Sequence, residues 1–447
     1  MLTNAQARTL AAIVDAVVPP SADRAVATAT VIDAFARLPA HKRARLAAVV
    51  TLLGSPPAGL LLAGRPGGLA ALDRPRRERA LLALRRIGPL RPAFDALTQL
   101  AVFGAYGARA SPGANPLWEA LGYPGPRNDV RGLAPLPLAT LPADGRLEAD
   151  AVVIGSGAGG GVAAGLLAEA GLRIVVLEAG PAIDEVAARQ TEAEALGALY
   201  LEGGLCATTD QRVAILAGAC VGGGTSVNWS TSLRLAPAVA AQWSAALGAP
   251  ALGAELADAY DAVEARLGVT VATRHNANNA VIVDGCDKLG WTMRAIPRNA
   301  RCDGDACGYC GFGCAYGTKQ STANTYLRDA SAAGAQIFAE VRADRVRIEN
   351  GAAIGVDAIA ADGTRLRIDA PLVVVAAGAL RTPGVLARSG IRSPHLGRHL
   401  RLHPVQGVVA RFDRPIEAWH GPMQSALCAE FSEIEDGYGV TIEAAPI

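Results

Sequence analysis

Ala149 to Gly180 reads ADAVVIGSGAGGGVAAGLLAEAGLRIVVLEAG, and no other stretch restricts the fold as tightly. Ala151 to Ile154 is the short β-branched run that a strand buried on both faces requires. Gly155, Gly157 and Gly160 follow as G-x-G-x-x-G. Small apolar residues from Val162 to Ala170 suit a helix pressed against a sheet, and Gly171 ends it. Ile174 to Leu177 is a second strand, with Glu178 at its end. The three glycines serve different physical ends. Gly155 permits the tight turn, Gly157 lets backbone approach a pyrophosphate, and Gly160 lets helix and strand pack closely. The helix N-terminus offers free N–H groups and a positive dipole end to phosphates. A carboxylate at Glu178 can accept both ribose hydroxyls of an adenosine. A lone G-x-G-x-x-G is a weak signal and could be a turn without ligand. Here strand, glycines, helix, strand and acid fall in order within one unit, which predicts a doubly wound α/β domain.

The chain has 447 residues, enough for two or three domains, and a formal net charge of +1. No acidic tail or long basic tract points to nucleic acid. Residues 1–20 lack a basic n-region and a small-residue cleavage site, so no signal peptide is read there. The uncharged run Leu46–Gly64 is broken by Gly54 and Pro56-Pro57, which favours two buried helix ends and a turn over a spanning helix. Eight cysteines are too few for a disulfide scaffold, and four of them crowd together, which suggests a local site in a reducing compartment. A cytoplasmic protein is the expectation, with peripheral membrane contact through the N-terminal helices as its variant.

Residues 1–110 read as a helical domain: residues 2–18 with Thr3 or Asn4 as N-cap, then Val31–Leu38, Lys42–Leu53, Arg76–Ile87 and Pro92–Tyr106. The basic stretch Arg74–Arg86 reads as a solvated helix face. Residues 111–146 form a Pro/Gly-rich linker, ordered in part by Trp118 and Tyr123. The nucleotide-binding domain occupies 147–235 and resumes at 331–394. Residues 236–330 supply cap helices and a cysteine-rich loop, and 395–447 begin a substrate domain of α+β type. Helices are expected over 184–200, 237–267 and the end of 317–330; strands over Gln336–Val341, Val346–Ile348 and Leu372–Val375. Between them, Leu216–Leu235 holds Gly218 and Gly222–Gly224 with Ser, Thr and Asn. It suits backbone that passes within van der Waals reach of a flat ligand. Ala376-Ala377-Gly378 is a second turn where only tiny side chains stand.

Two further constellations need weighing. Cys302, Cys307, Cys310 and Cys314 have the spacing C-x4-C-x2-C-x3-C, which matches parts of two ferredoxin patterns and completes neither. Asp303 and Asp305 add charge that disfavours an anionic cluster. A thiol-rich or cysteine-stapled loop near the active site is the preferred reading, with a metal centre as the alternative. His395, His399 and His403 have helical spacing, but Pro394, Pro404 and Gly397 oppose a helix. Structural or surface histidines are the default there.

Four blocks in order resemble the glucose–methanol–choline (GMC) flavin oxidoreductases: VVIGSGAGGGVAAGLLAEAGLRIVVLEAG, GACVGGGTSVNWSTSLR, VVVAAGALRTPGVLARSGI and LGRHLRLHPV. The cysteine block running into GTKQSTANTYLRDA, with a helical N-terminal extension, is similar to the long-chain fatty alcohol oxidase subgroup. The extension also resembles a small helical subunit of some flavin-linked sugar dehydrogenases. The resemblance implies FAD, with Gly155, Gly157, Gly160 and Glu178 at the ADP-binding positions. It implies that the Val341 backbone meets the adenine. Gly222, Gly223, Thr225 and Asn228 would lie along the isoalloxazine, and Ala377 and Gly378 would form the later flavin-contacting turn. The family's catalytic base is a histidine in a C-terminal HPxGTCRMG-like block, which this sequence lacks; His403-Pro404 belongs to the LGRHLRLHPV block. The base is therefore expected beyond Ile447, no catalytic residue is assigned, and the chain reads as a fragment that is inactive alone.

The activity implied is oxidation of a primary, long-chain alcohol to the aldehyde. A neutral imidazole would take the hydroxyl proton and the carbinol hydride would pass to flavin N5, with oxygen as acceptor. Two alternatives stand beside it: a dehydrogenase passing electrons to an external carrier through a cysteine-ligated cluster, and a non-catalytic flavin-binding protein. Iron content separates the first from the oxidase.

Overall fold

The computed structural model describes residues 2–109, 114–126, 134–184, 189–210, 212–249, 254–302 and 307–445. Asp303 and Asp305, part of the linker and the two last residues lie outside the described residues. The chain divides into two compact units, Met1–Asn128 with Arg189–Ala217, and Asp129–Ala188 with Gly218–Ile447.

The first unit is helical. Its helices are Asn4–Val17, Arg24–Arg37, Ala40–Leu53, Pro56–Ala63, Arg74–Arg86, Arg91–Gly107, Pro116–Leu121 and Glu192–Leu199. Thr3 opens the first with a capping box: its hydroxyl accepts the Gln6 N–H at 3.2 Å, and the Gln6 side chain accepts the Thr3 N–H at 2.9 Å. The second starts at Arg24, ahead of the apolar pattern at Val31, because Asp23 accepts the Ala25 and Val26 N–H groups. Apolar faces converge on a core that includes Leu10, Ile13, Phe35, Leu84 and Leu97. The linker carries its own short helix. There the Trp118 indole donates to the Tyr106 carbonyl at 2.6 Å and stands edge-on to Tyr123 at 5.5 Å. The helix expected over 184–200 is confined to Glu192–Leu199 within the described residues, fixed by a Thr191–Glu194 capping box. No single described helix is long and apolar enough to cross a membrane, and the helices Ala40–Leu53 and Pro56–Ala63 are bent by 75°. Arg77 in the basic helix pairs with Asp15 at 2.6 Å.

The second unit contains thirteen strands among the described residues: β1 Arg146–Glu148, β2 Ala151–Ile154, β3 Ile174–Leu177, β4 Thr270–Val271, β5 Met293–Ala295, β6 Pro297–Arg298, β7 Gln336–Phe338, β8 Val341–Glu349, β9 Ala352–Ala360, β10 Arg365–Asp369, β11 Leu372–Val375, β12 Ala426–Cys428 and β13 Ile442–Glu443. A parallel sheet has the order β11-β2-β3-β7. Its register aligns Val375 with Ile154, Ile154 with Leu177, and Leu177 with Phe338, so all four strands end along one edge. The segment read as one strand over Gln336–Val341 breaks after Phe338 and restarts at Val341 in a second sheet of order β1-β10-β9-β8.

Side-chain alternation explains the layering. Val152, Ile154, Val175 and Leu177 point to one face and pack with Val346, Val356, Leu366 and Ile368 of the second sheet. Ala151, Val153, Ile174 and Val176 point to the other and meet Ala164, Ala168, Leu327 and Ala330 from helices Ala158–Glu169 and Tyr326–Ala332. Those two helices approach closely because Gly161 and Gly165 face Thr322 and Tyr326; a Cβ on Gly161 would stand 2.6 Å from the Thr322 Cβ. The long helix read over 237–267 is two, Pro237–Leu247 and Ala254–Leu267. A third sheet, β13-β12-β5, packs with helix Ala277–Leu289.

Candidate functional site

Because the parallel strands end together, the segments leaving them are forced side by side, the crevice where open α/β sheets bind ligands. Gly155 follows β2 with φ +98°. A Cβ there would lie 2.4 Å from the Ala376 carbonyl oxygen, so the first glycine turn and the Ala376–Gly378 turn are packed on each other. A Cβ on Gly160 would lie 1.9 Å from the Gly155 carbonyl oxygen, which closes helix onto strand as the spacing predicts. Gly157 is the N-cap of helix Ala158–Glu169 and supplies no side-chain cap. The first N–H groups of that helix thus face the edge without a side-chain partner.

Glu178 leaves β3 and is buried. Its Oε2 accepts the Ser156 N–H at 3.1 Å and the Ser156 hydroxyl at 2.6 Å, while Oε1 accepts the Gly180 N–H at 2.9 Å. Ser156 Oγ in turn accepts the Gly222 N–H at 2.9 Å. One carboxylate thereby links the first glycine turn, its own strand end and the second glycine loop. Val341 opens β8 beside it, its N–H donating to the Glu178 carbonyl at 2.8 Å.

The second glycine loop makes one turn of helix, Gly224–Val227, where no regular element is expected from its composition. Gly222 and Gly223 have φ of +86° and +52°, and a Cβ on Gly223 would stand 3.0 Å from the Gly157 Cα. Thr225 Oγ1 donates to the Gly222 carbonyl at 2.6 Å and lies 3.1 Å from the Thr322 hydroxyl. Asn228 is exposed, and its side chain accepts the Ser230 N–H at 3.2 Å. Not every glycine is enclosed: a Cβ on Gly159, Gly224 or Gly378 would meet no heavy atom within 4 Å. These three line open space while their neighbours pack against backbone. Gly155, Gly157, Gly160, Glu178, Gly222, Gly223, Val341, Ala377 and Gly378 all come to this edge; Thr225 and Asn228 lie farther along the second loop.

Residues 196–405 match the GMC oxidoreductase family. A long-chain-alcohol oxidase of Arabidopsis thaliana is 40% identical over 292 residues, which cover 62% of this chain and 39% of the relative. A second such oxidase from the same plant is 34% identical over 383 residues, 75% of this chain and 51% of the relative. The chain carries a GMC oxidoreductase domain. It spans about half or less of the length of these two relatives. An uncharacterized GMC-type oxidoreductase of Mycobacterium tuberculosis is 39% identical over 306 residues, covering 66% of this chain and 48% of the relative. Among solved structures, a pyridoxine 4-oxidase from Mesorbium loti superposes with a TM-score of 0.42 at 20% identity, over 55% of this chain and 52% of that one.

Three residues of this chain build the site without having stood out in the sequence. Ser156 and Thr322 are buried hydroxyls, and Thr322 Oγ1 donates to the Ser156 carbonyl at 2.9 Å. Lys319 is fully buried; its ammonium donates to the carbonyls of Ser226 at 3.0 Å, Cys310 at 2.6 Å, and Asn228. Burial pushes its pKa down, since no carboxylate is among those partners. For Lys319 and Thr322 the sequence sign is the polar run GTKQSTANTYLRDA, where lysine and threonines are easily taken for a surface turn; Ser156 is an unspecified position of the glycine motif.

Among the described residues no group of three or more His, Cys, Asp or Glu stands where it could hold a metal ion. Cys302 and Cys314 instead share the Thr318 hydroxyl. His395 and His399 contact each other at 3.1 Å in a turn, not on a helix.

Proposed function

We propose that this chain binds FAD along the carboxyl edge of its parallel sheet and serves oxidation of a primary, long-chain alcohol to the aldehyde, with oxygen as the acceptor. The observation that carries the reading is the edge itself. An uncapped helix N-terminus, a buried carboxylate and glycines bordering open space meet where four strands end, and the chain carries a GMC oxidoreductase domain. The donor set suits a dinucleotide. The N–H groups following Gly157 would take the pyrophosphate, and Glu178 would take the ribose through lone pairs that Ser156 and Gly180 leave free. Val341 would meet the adenine through its backbone. Gly222, Gly223, Thr225 and Asn228 would lie along the isoalloxazine, opposite Ala377 and Gly378. The alcohol class follows the names of the Arabidopsis relatives.

Bound FAD would supply the hydride-accepting chemistry. The protein's part is to hold and desolvate. Lys319 fixes the carbonyls of Ser226 and Asn228, so the loop keeps one shape without the freedom its glycines would otherwise give. Ser156 and Thr322 fill polar positions beside the first glycine turn with hydroxyls that are themselves hydrogen-bonded. No described residue is assigned as the proton acceptor. The test is reconstitution of the purified protein with FAD, followed by anaerobic addition of a long-chain alcohol. Bound flavin that bleaches, then recovers its colour in air with release of peroxide, is the expected result. Failure to retain FAD at micromolar concentration overturns the reading.

A further inference from the structure

The cysteine block holds a second set of groups that flavin binding does not use. The sulfurs of Cys302 and Cys314 each lie one hydrogen bond from the same oxygen, Thr318 Oγ1, at 3.4 and 3.5 Å. Cys314 also accepts the Lys319 N–H at 3.3 Å. Two buried cations stand near this pair, and the partners found for them among the described residues are neutral or sulfur. The Lys319 ammonium is held by three carbonyls. The Arg298 guanidinium, 4% exposed, reaches the Trp229 carbonyl at 3.4 Å and the Cys310 sulfur at 3.8 Å, and its Nε has no partner. Both sulfurs thus sit at one hydroxyl beside buried polar groups rather than in a purely apolar pocket. A cavity of about 30 Å³, lined in part by Cys314, Lys319, Ser321 and Asn324, reaches the buried thiol. It has room for a molecule of one or two heavy atoms.

We propose that Cys314 and Cys302 form a peroxide-reactive pair that closes to a disulfide across Thr318. The Cys314 thiolate attacks one oxygen of hydrogen peroxide: an S–O bond forms, the O–O bond breaks, and the departing hydroxide takes a proton and leaves as water. Cys302 then attacks the sulfenic sulfur: the S–S bond forms, the S–O bond breaks, and a second water leaves with the thiol proton. Two thiols are oxidised and one peroxide is reduced to two waters. Desolvation raises the Cys302 pKa, which suits a resolving thiol that stays protonated until the sulfenic acid appears. Burial pushes Cys220 up to about 12 and Cys286 up to about 11, so neither competes. The pair touches the flavin loop through one residue, because Lys319 follows Thr318 and its ammonium holds the Ser226 and Asn228 carbonyls. The proposal rests on the oxidase reading only for the source of peroxide, which alcohol turnover would release beside it.

The test adds hydrogen peroxide itself, in slight molar excess, to the reduced full chain, then alkylates free thiols and maps peptides without reduction. The expected result is loss of two of the eight free thiols and a Cys302–Cys314 linked peptide. In Cys302→Ser the sulfenic acid on Cys314 persists and is trapped by dimedone once the peroxide-treated chain is unfolded in urea. Cumene hydroperoxide, too bulky for the cavity, reacts at least about tenfold more slowly. Retention of all eight thiols, linkage through Cys310, or equal rates for the two peroxides overturns the proposal. If Cys302→Ser fails to fold, Cys314→Ser gives a second arm: it must abolish both the linkage and the dimedone adduct. Added peroxide keeps these outcomes readable even if no alcohol is oxidised.

Discussion

Glycines that look alike in the sequence do two different jobs here. Gly160 is locked against the Gly155 carbonyl, whereas Gly159, one residue earlier, borders open space. Gly160→Ala must push helix from strand and is expected to destabilise the protein by roughly 3 kcal/mol, read as a lower urea midpoint. Gly159→Ala leaves the urea midpoint unchanged or slightly higher, yet lowers FAD affinity because its methyl occupies cofactor space. Equal stability losses in the two variants would refute the distinction. Both glycines are legible as a motif, but not their division of labour, which depends on what stands opposite each Cα. Ser156 is the complementary case. It sits inside the motif as an unspecified residue, and its role appears only once Glu178 and Gly222 are folded beside it. Burial raises the Glu192 pKa, opposed by a hydrogen bond from Tyr123 at 2.8 Å. The folded state therefore holds this proton more tightly than the unfolded one. The resulting stability is full below the ordinary glutamate range and is lost as pH rises through it to the raised folded value. Urea midpoints measured across that range should fall less steeply for Glu192→Gln than for the parent, and should be higher for the variant above it.

Elements whose partners lie close in sequence were the readable ones. The β2–helix–β3 crossover, the capped first helix and β11 stand where period, glycines and caps place them, because each signal is local. Elements that exist by long-range pairing were not. β5 and β12 are three residues each and pair across most of the second unit's C-terminal half. Helix Ala277–Leu289, ANNAVIVDGCDKL, breaks its apolar stripe with Asn, Asp and Lys and gives little periodic signal. It is anchored by polar contacts instead. The buried Asn279 side chain accepts the Ser425 and Ala426 N–H groups at 2.8 and 3.2 Å. It donates to the Pro422 and Met423 carbonyls, each at 3.2 Å. Asn279→Ala leaves two N–H groups and two carbonyls of that segment without these partners. A cost of about 3 kcal/mol follows, and Asn279→Asp recovers only the accepting half. Hydrogen exchange should localise the loss to Pro422–Cys428; protection unchanged there in the alanine variant would contradict it.

The two units have separate hydrophobic cores, one built from helices around Phe35 and Leu84, the other from two sheets and helices around Val152 and Val176. A ligand that binds only one folded unit stabilises that unit by mass action, so its effect should be confined to one part of the melting profile. Every residue assigned to FAD lies in the second unit. At FAD about a hundredfold above its dissociation constant, that unit gains about 2.7 kcal/mol, an upward shift of several degrees. Phe35→Ala, in the first core, should lower the other transition by several degrees and leave the FAD-dependent shift intact. Differential scanning calorimetry with and without FAD, on the parent and on Phe35→Ala, checks both statements. A shift by FAD of the transition that Phe35→Ala lowers would place the cofactor outside the glycine-lined edge. Independence of the two transitions would instead tie the cofactor to the sheet whose strands end at Ile154, Leu177 and Val375.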